Sequence, residues 1–333
     1  MRLGLGGMLA LAACSEAAAP GVLHVAGGFI RDERGAALLL RGVSVSNAAK
    51  DPNSGFVGWH TAADFARSSA WGFNAVRLLV FWEAIEPQPH QIDEDYLSRI
   101  DARVRWAGDA GLMVILDMHQ DVYGRGFGHN GAPEWTCAQE LYDGYVQPDP
   151  WYLGYLTREV RTCFDRFWAS EDLRDHYARA WEAVAGRYAH TPHVIGFDLY
   201  NEPFWGSAPA DVFESQVLQP FYEELATRIE RVAPGKLFFV QPTSLVQLGS
   251  LYEASFAPFA MRNVVYAPHY YDAGVHDGRP YDGDATAAAD TLGAYARTAR
   301  RIEAAFWLGE YGAPSGAAGA GDYLQDVESL LGA

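Results

Sequence analysis

The sequence predicts an α/β fold, a (β/α)8 barrel of the TIM type, from three observations. Seven short apolar runs recur along the chain, helical periods separate them, and chemically active polar residues stand where the runs end. Strands that are apolar on both faces belong in parallel sheets covered by helices, and so many strand–helix units in succession favour a barrel over an open sheet.

The elements follow in order. Val22 to Ile30 and Ala36 to Leu40, separated by the charged Arg31-Asp32-Glu33-Arg34-Gly35, are read as a hairpin leading into the first buried strand, Leu38 to Ser44. Further apolar runs are Ala75 to Phe81, Leu112 to Met118, Val194 to Tyr200, Leu237 to Val240, Val264 to Ala267 and Ala304 to Leu308. Tyr96, Ile100 and Val104 fall at helical spacing behind Asp93 as N-cap, and a longer helix is expected from Leu173 to Tyr188. A last helix, from Tyr323 to Leu331, follows the seventh strand, and the eighth strand is missing. The expectation is a barrel truncated after strand seven and its helix, with two open edges and poor solubility, unless the amino-terminal hairpin supplies the closing strand.

At 333 residues, 49% of them hydrophobic and 14% aromatic, the chain can bury one large core, and its 34 Gly and 17 Pro suit many turns. One catalytic domain over residues 22–333 is expected. A formal charge of −17 repels nucleic acid and anionic membrane surfaces and favours neutral or weakly charged partners. A monomer is expected.

The chain opens Met1-Arg2-Leu3 and runs apolar to Leu11-Ala12-Ala13-Cys14, the basic start, brief apolar middle and small residues of a secretory signal, too short to span a membrane once mature. Residues 1–13 resemble a bacterial lipoprotein signal, which implies that Cys14 becomes the lipidated first residue; an ordinary signal with a chance Cys is the alternative. Residues 14–21 then form a tether, and the protein is exported, either held in the cell envelope by a lipid anchor or secreted. Cys137 and Cys163 remain as an even pair in an exported chain, either bridged or left as two buried thiols.

The chemistry is concentrated at the strand ends, where parallel barrels build their active sites. The fourth run stops at Asn201-Glu202-Pro203 and the seventh at Gly309-Glu310-Tyr311-Gly312, each placing one carboxylate at a strand's carboxyl end. Arg77 lies in strand two, Asp117-Met118-His119-Gln120-Asp121 ends strand three, and His269-Tyr270-Tyr271 ends strand six. Two facing carboxyl groups are what glycoside cleavage needs. At about 5 to 5.5 Å apart, one attacks the anomeric carbon while the other protonates the leaving oxygen.

In barrel order these motifs resemble glycoside hydrolase family 5, in the clan with the acid/base after strand four and the nucleophile after strand seven. Asp117 to Arg125, Asn201-Glu202-Pro203-Phe204, Pro268-His269-Tyr270-Tyr271 and Gly309 to Gly312 are similar to its endoglycoceramidase-like branch. The resemblance implies that Glu310 is the nucleophile and Glu202 the acid/base. It also implies that Asn201 meets the sugar 2-hydroxyl, and that Lys50 and Asp121 bind the first sugar. Tyr271 and Arg77 would keep Glu310 ionised and aimed, and His119 and His269 would hydrogen-bond sugar or carboxylate. Asp117 is assigned to backbone hydrogen bonding at the barrel rim.

The long stretch from Gly124 to Tyr155 carries Phe127, Trp135, Tyr142, Tyr145, Trp151 and Tyr152, read as a wall for the glycan, and Phe204 and Trp205 are read either as a contact for the leaving group or as ordinary packing. No metal and no cofactor is expected, since ten scattered His form no ligand motif and two carboxylates suffice. The partner implied is a glycan or glycolipid, cleaved at a β-linkage to a lipid-type aglycone. A β-glucanase or β-mannanase of the same family, and a silent carbohydrate-binding lipoprotein, are the alternatives.

Overall fold

The computed structural model describes residues 21–247 and 253–332. The signal segment, Cys14 and all of the tether but Gly21 lie outside the described residues.

Seven parallel strands form one curled sheet: β3 (Gly42–Val45), β4 (Ala75–Val80), β5 (Met113–Met118), β6 (Val194–Asp198), β7 (Leu237–Val240), β8 (Val264–Tyr266) and β9 (Ala305–Phe306), preceded by a two-stranded sheet of β1 (His24–Ala26) and β2 (Phe29–Arg31). Each of β3 to β9 pairs with the next in sequence, and β3 and β9 are the two edges. This is a (β/α)8 TIM-type fold lacking its eighth strand among the described residues. The central strands β4 to β8 are buried at every position, the two-sided burial that a helix-covered parallel sheet imposes. Edge strand β3 begins exposed, with Val43 at 39%.

The amino-terminal hairpin differs from the sequence expectation. Its turn is Gly27-Gly28, both at positive φ, and not the charged segment 31–35. Two successive left-handed residues fit the tight primed turns that match strand twist, and glycine adopts them without strain. Of the second expected limb, only a bridge from Ala37 to Arg31 remains. The first barrel strand starts at Gly42, four residues later than expected, and Leu39 stands 71% exposed. The hairpin does not close the sheet. It packs beneath it, where Leu23 and Ile30 join Met113, Ile115, Ile195, Leu237 and Phe239 in one apolar cluster at the amino ends of the strands.

The helices cover the outside. Helix Glu94–Asp109 starts where Asp93 accepts a hydrogen bond from the Tyr96 amide, and Tyr96, Ile100 and Val104 face the sheet as their spacing requires. Glu171–Arg187 is capped by Ser170, and the last helix, Ala320–Leu331, buries Tyr323 and Val327.

Between β5 and β6 the chain makes short turns and the helix Gln139–Gly144 before helix Arg158–Ala169. Cys137 and Cys163 are bridged, tying this excursion to that helix. Closing a 26-residue separation stabilises the fold by about 3 kcal/mol through the unfolded chain. Cys137→Ser with Cys163→Ser should therefore lower the urea midpoint by the equivalent of about 3 kcal/mol. A reductant should bring the parent protein down to the same value.

Candidate active site

The functional side chains lie in or just after β4, β5, β6, β8 and β9, with Lys50 after β3. Arg77, in β4 and 1% exposed, points into the barrel and is shared among four partners. Its Nε donates to Asp198 Oδ2 at 2.9 Å and its Nη2 to Asn201 Oδ1 at 2.8 Å, and Nη2 also forms an ion pair with Asp117 Oδ1 at 2.8 Å. Its Nη1 donates to Glu310 Oε1. Three carboxylates around one buried guanidinium outweigh the cost of burial and hold its pKa above the usual arginine range.

Glu310 follows β9 and is fixed at both ends. Its carbonyl accepts the Tyr270 amide at 2.9 Å, and its Oε2 accepts the Tyr271 hydroxyl at 2.8 Å. Gly309 permits the approach, because a Cβ there would lie 2.9 Å from the His269 ring and 3.0 Å from the Ala267 carbonyl. Burial pushes the Glu310 carboxyl upward, but His269 and Arg77, then His119 and Lys50, overcome this and hold it well below the ordinary carboxylate range. The Tyr271 hydroxyl is pushed up by burial and by Glu310, so it stays a donor.

Glu202 faces Glu310 from the end of β6, with its Oε1 2.8 Å from His269 Nδ1. One oxygen from each glutamate and a His269 ring nitrogen all lie within 4.8 Å of one another. That is near the about 5 to 5.5 Å of double displacement and below the about 6.5 to 9.5 Å at which inverting sites hold their carboxyl groups.

His119, Asp121 and Lys50 form a second group. His119 Nδ1 is 2.8 Å from Asp117 Oδ2, and Lys50 Nζ is 2.8 Å from Asp121 Oδ2. Burial and Lys50 lower the His119 pKa, and Asp117 and Asp121 more than reverse this and raise it. Asp121 is held well below the usual range, since Lys50 and His119 prevail over burial. Lys50 and Asp121 open onto a cavity of about 680 Å³ that runs out to Arg125, His129 and Trp151.

Two expectations are corrected, and for Phe204 the packing alternative is the one found. Asp117 binds side chains, Arg77 and His119, rather than rim backbone. Asp117 sits opposite Leu79, two residues along from Arg77, so the two side chains share one face of neighbouring strands. Most of the aromatic stretch packs on itself: Phe127 meets Tyr142 at 4.9 Å and Tyr145 at 5.0 Å, and Trp135 packs on Trp82 and His176, leaving Trp151 at the cavity. Phe204 is core, packed on Tyr155 and Phe164, and only Trp205, stacked on it at 4.1 Å, reaches solvent.

Sequence reasoning missed Asp198, Gln120, Gln241 and Glu83. Asp198 had a signal, a lone acid inside an apolar run. Glu83, 7% exposed, accepts the Gly131 amide at 2.9 Å while its own amide donates to the Gly131 carbonyl at 2.8 Å, pinning the loop that carries Asn130 against Asp121. Burial, only partly offset by that hydrogen bond and by Arg125, pushes its carboxyl up to about 7. A carboxyl raised this way stabilises the fold fully below its unfolded value and loses that contribution as pH rises through about 7. Glu83→Gln keeps the acceptor, so it should remove a fall in stability of about 3 kcal/mol between pH 4.5 and 7.5, read from urea midpoints across that window.

Two groups among the described residues bring three possible metal donors together: Glu202, His269 and Glu310, and Glu86, His90 and His176. Neither donor set suits a cation. Arg77 already neutralises Glu310 in the first, and in the second Arg179 Nη1 donates to His90 Nδ1 at 2.9 Å while Glu86 accepts from His176, His90 and Trp82.

The chain matches the family description cellulase, glycosyl hydrolase family 5, over residues 32–330. It is 31% identical over 212 residues to endoglycoceramidase I of Rhodococcus hoagii, covering 60% of this chain and 43% of that protein. The chain thus spans less than half the length of that relative. Endo-glycoceramidase II from Rhodococcus sp. superimposes in its ganglioside GM3 complex with a TM-score of 0.80 at 32% identity, covering 91% of this chain and 73% of that one. Its lactosyl-enzyme intermediate superimposes at 0.78 and 33%, covering 91% and 72%. With the family description matched over nearly the whole barrel, the chain belongs to glycoside hydrolase family 5.

Proposed function

We propose that this protein is a retaining glycosidase that cleaves the β-linkage between a glycan and a lipid-type aglycone. The observation that carries the reading is the facing pair Glu202 and Glu310, whose oxygens come within 4.8 Å, one held ionised by Arg77 and Tyr271. Glu310 attacks the anomeric carbon as Glu202 gives its proton to the departing oxygen, leaving a glycosyl ester on Glu310. Glu202 then takes a proton from water, which attacks the same carbon and frees Glu310. Asn201 spends one amide N–H on the Gln120 carbonyl, and its second is free for the sugar 2-hydroxyl. Lys50 and Asp121 bind the first sugar, His269 hydrogen-bonds the Glu202 carboxyl, and His119 holds Asp117 in place.

The lipid aglycone draws support from relatives named for ceramide glycosides and from the ganglioside complex of one of them. An exported, Cys14-anchored protein would meet such amphiphiles at a membrane surface. Purified protein should release intact oligosaccharide and ceramide from a glycosphingolipid and leave cellulose and mannan unchanged. The reverse preference would select a glucanase or mannanase, and binding without turnover a silent lectin-like protein. Glu202→Gln should cost about 10²- to 10⁴-fold on glycolipid, and far less on aryl glycosides whose leaving group departs unaided.

A further inference from the structure

Glu202 occupies a backbone conformation that its own sequence opposes. Its φ is +42°, in the left-handed region that side chains with a Cβ rarely adopt, and it precedes Pro203, which restricts the preceding residue further. Such a residue persists only where its surroundings over-determine it. Two buried glutamines outside the candidate catalytic set do so from opposite sides. Gln241 Oε1 accepts the Glu202 N–H at 2.8 Å. Gln120 Nε2 donates to the Glu202 carbonyl at 2.9 Å and to the Asn201 carbonyl at 2.9 Å.

Both amides are themselves oriented. Gln241 Nε2 donates to Asp198 Oδ2 at 2.8 Å, the same oxygen that accepts Arg77 Nε, which leaves Oε1 to face Glu202. Gln120 Oε1 accepts the Tyr123 amide at 2.9 Å, and its Nε2 also lies 3.2 Å from the Tyr155 hydroxyl. Gln241 is fully buried and Gln120 nearly so, so water does not replace either partner.

We infer that Gln120 and Gln241 are positioning residues that clasp the Glu202 peptide, fixing where the acid/base carboxyl stands relative to the leaving-group oxygen. The inference rests on the acid/base role given to Glu202 above. Through Asp198, the Gln241 arm also connects that peptide to the arginine that holds Glu310, so the two carboxyl groups share one frame. Loosening either arm harms the step that needs proton donation and spares nucleophilic attack on substrates that need none.

The test is a leaving-group series. Gln241→Met and Gln120→Met are assayed on aryl β-glycosides from activated to poor leaving groups, beside wild type, Glu202→Gln and each double variant. Each glutamine variant should lose on the order of 100-fold in kcat/KM on the poorest leaving group and less than about threefold on the most activated. Each double variant should be no worse than Glu202→Gln alone, because residues acting through one group are not additive. Amide hydrogen exchange of the 199–206 segment should show faster exchange in Gln241→Met with the helices unchanged. Equal loss across the series, additive double variants, or exchange identical to wild type would overturn the clasp. Glu310→Gln separates this from failure of the parent reading: if wild type turns over nothing that Glu310→Gln fails to turn over, the glycosidase reading falls and the clasp's catalytic role with it.

Discussion

Glu310→Gln should leave a folded protein whose turnover falls on the order of 10⁴-fold or more on every glycoside, activated or not, the scale on which losing a covalent nucleophile acts. The amide matches the carboxylate in size and retains an acceptor for Tyr271, so the loss reports on nucleophilicity. Unlike Glu202→Gln, it is not relieved by a better leaving group, because no glycosyl ester forms. Glu310 has its folded pKa depressed, so its favourable contribution is present above the unfolded carboxylate range and is lost as pH falls through the folded value. Wild type should be the more stable at neutral pH, and the gap should narrow on acidification. A variant that keeps appreciable activity on activated substrates would move the nucleophile elsewhere.

Arg77→Met should be the most destabilising single change in the site. It strands Asp117 and Asp198, both fully buried, with no guanidinium between them, and an uncompensated buried charge costs about 3 to 5 kcal/mol. It also frees the Glu310 carboxyl and the Asn201 amide, so activity should fall further than stability explains. Arg77→Lys separates the two effects. A lysine restores a positive charge and part of the stability, but one ammonium does not reproduce a planar fork reaching Asp117, Asp198, Asn201 and Glu310 together. Urea unfolding should rank the proteins wild type, Lys, Met, and kcat/KM should place both variants far below wild type. Recovery of activity by lysine would mean that only the charge matters.

The barrel strands were legible because a strand covered on both faces must be a short continuous apolar run, and β4 to β8 are buried at every residue. Their beginnings were less so. Leu38 to Leu40 look like strand in sequence, yet the chain pairs only from Gly42, where its neighbour Ala75 begins. The two glutamates and Arg77 were legible because each stands in or at the end of such a run. Gln241 was not, and Asp198 showed only as a lone acid in an apolar run, since the hydrogen bond that joins them spans 43 residues and local pattern does not encode it. Glu83 was hidden for the same reason, its partner Gly131 being 48 residues away.

The most direct measurement is peptide mapping of a glycosyl-enzyme accumulated by Glu202→Gln protein on an activated aryl glycoside, where the ester forms and its hydrolysis lacks a base. One glycosyl unit is expected on the peptide containing Glu310 and none on Glu310→Gln protein. A glycosyl unit on any other residue, or turnover that proceeds with inverted anomeric configuration and no adduct, would contradict it.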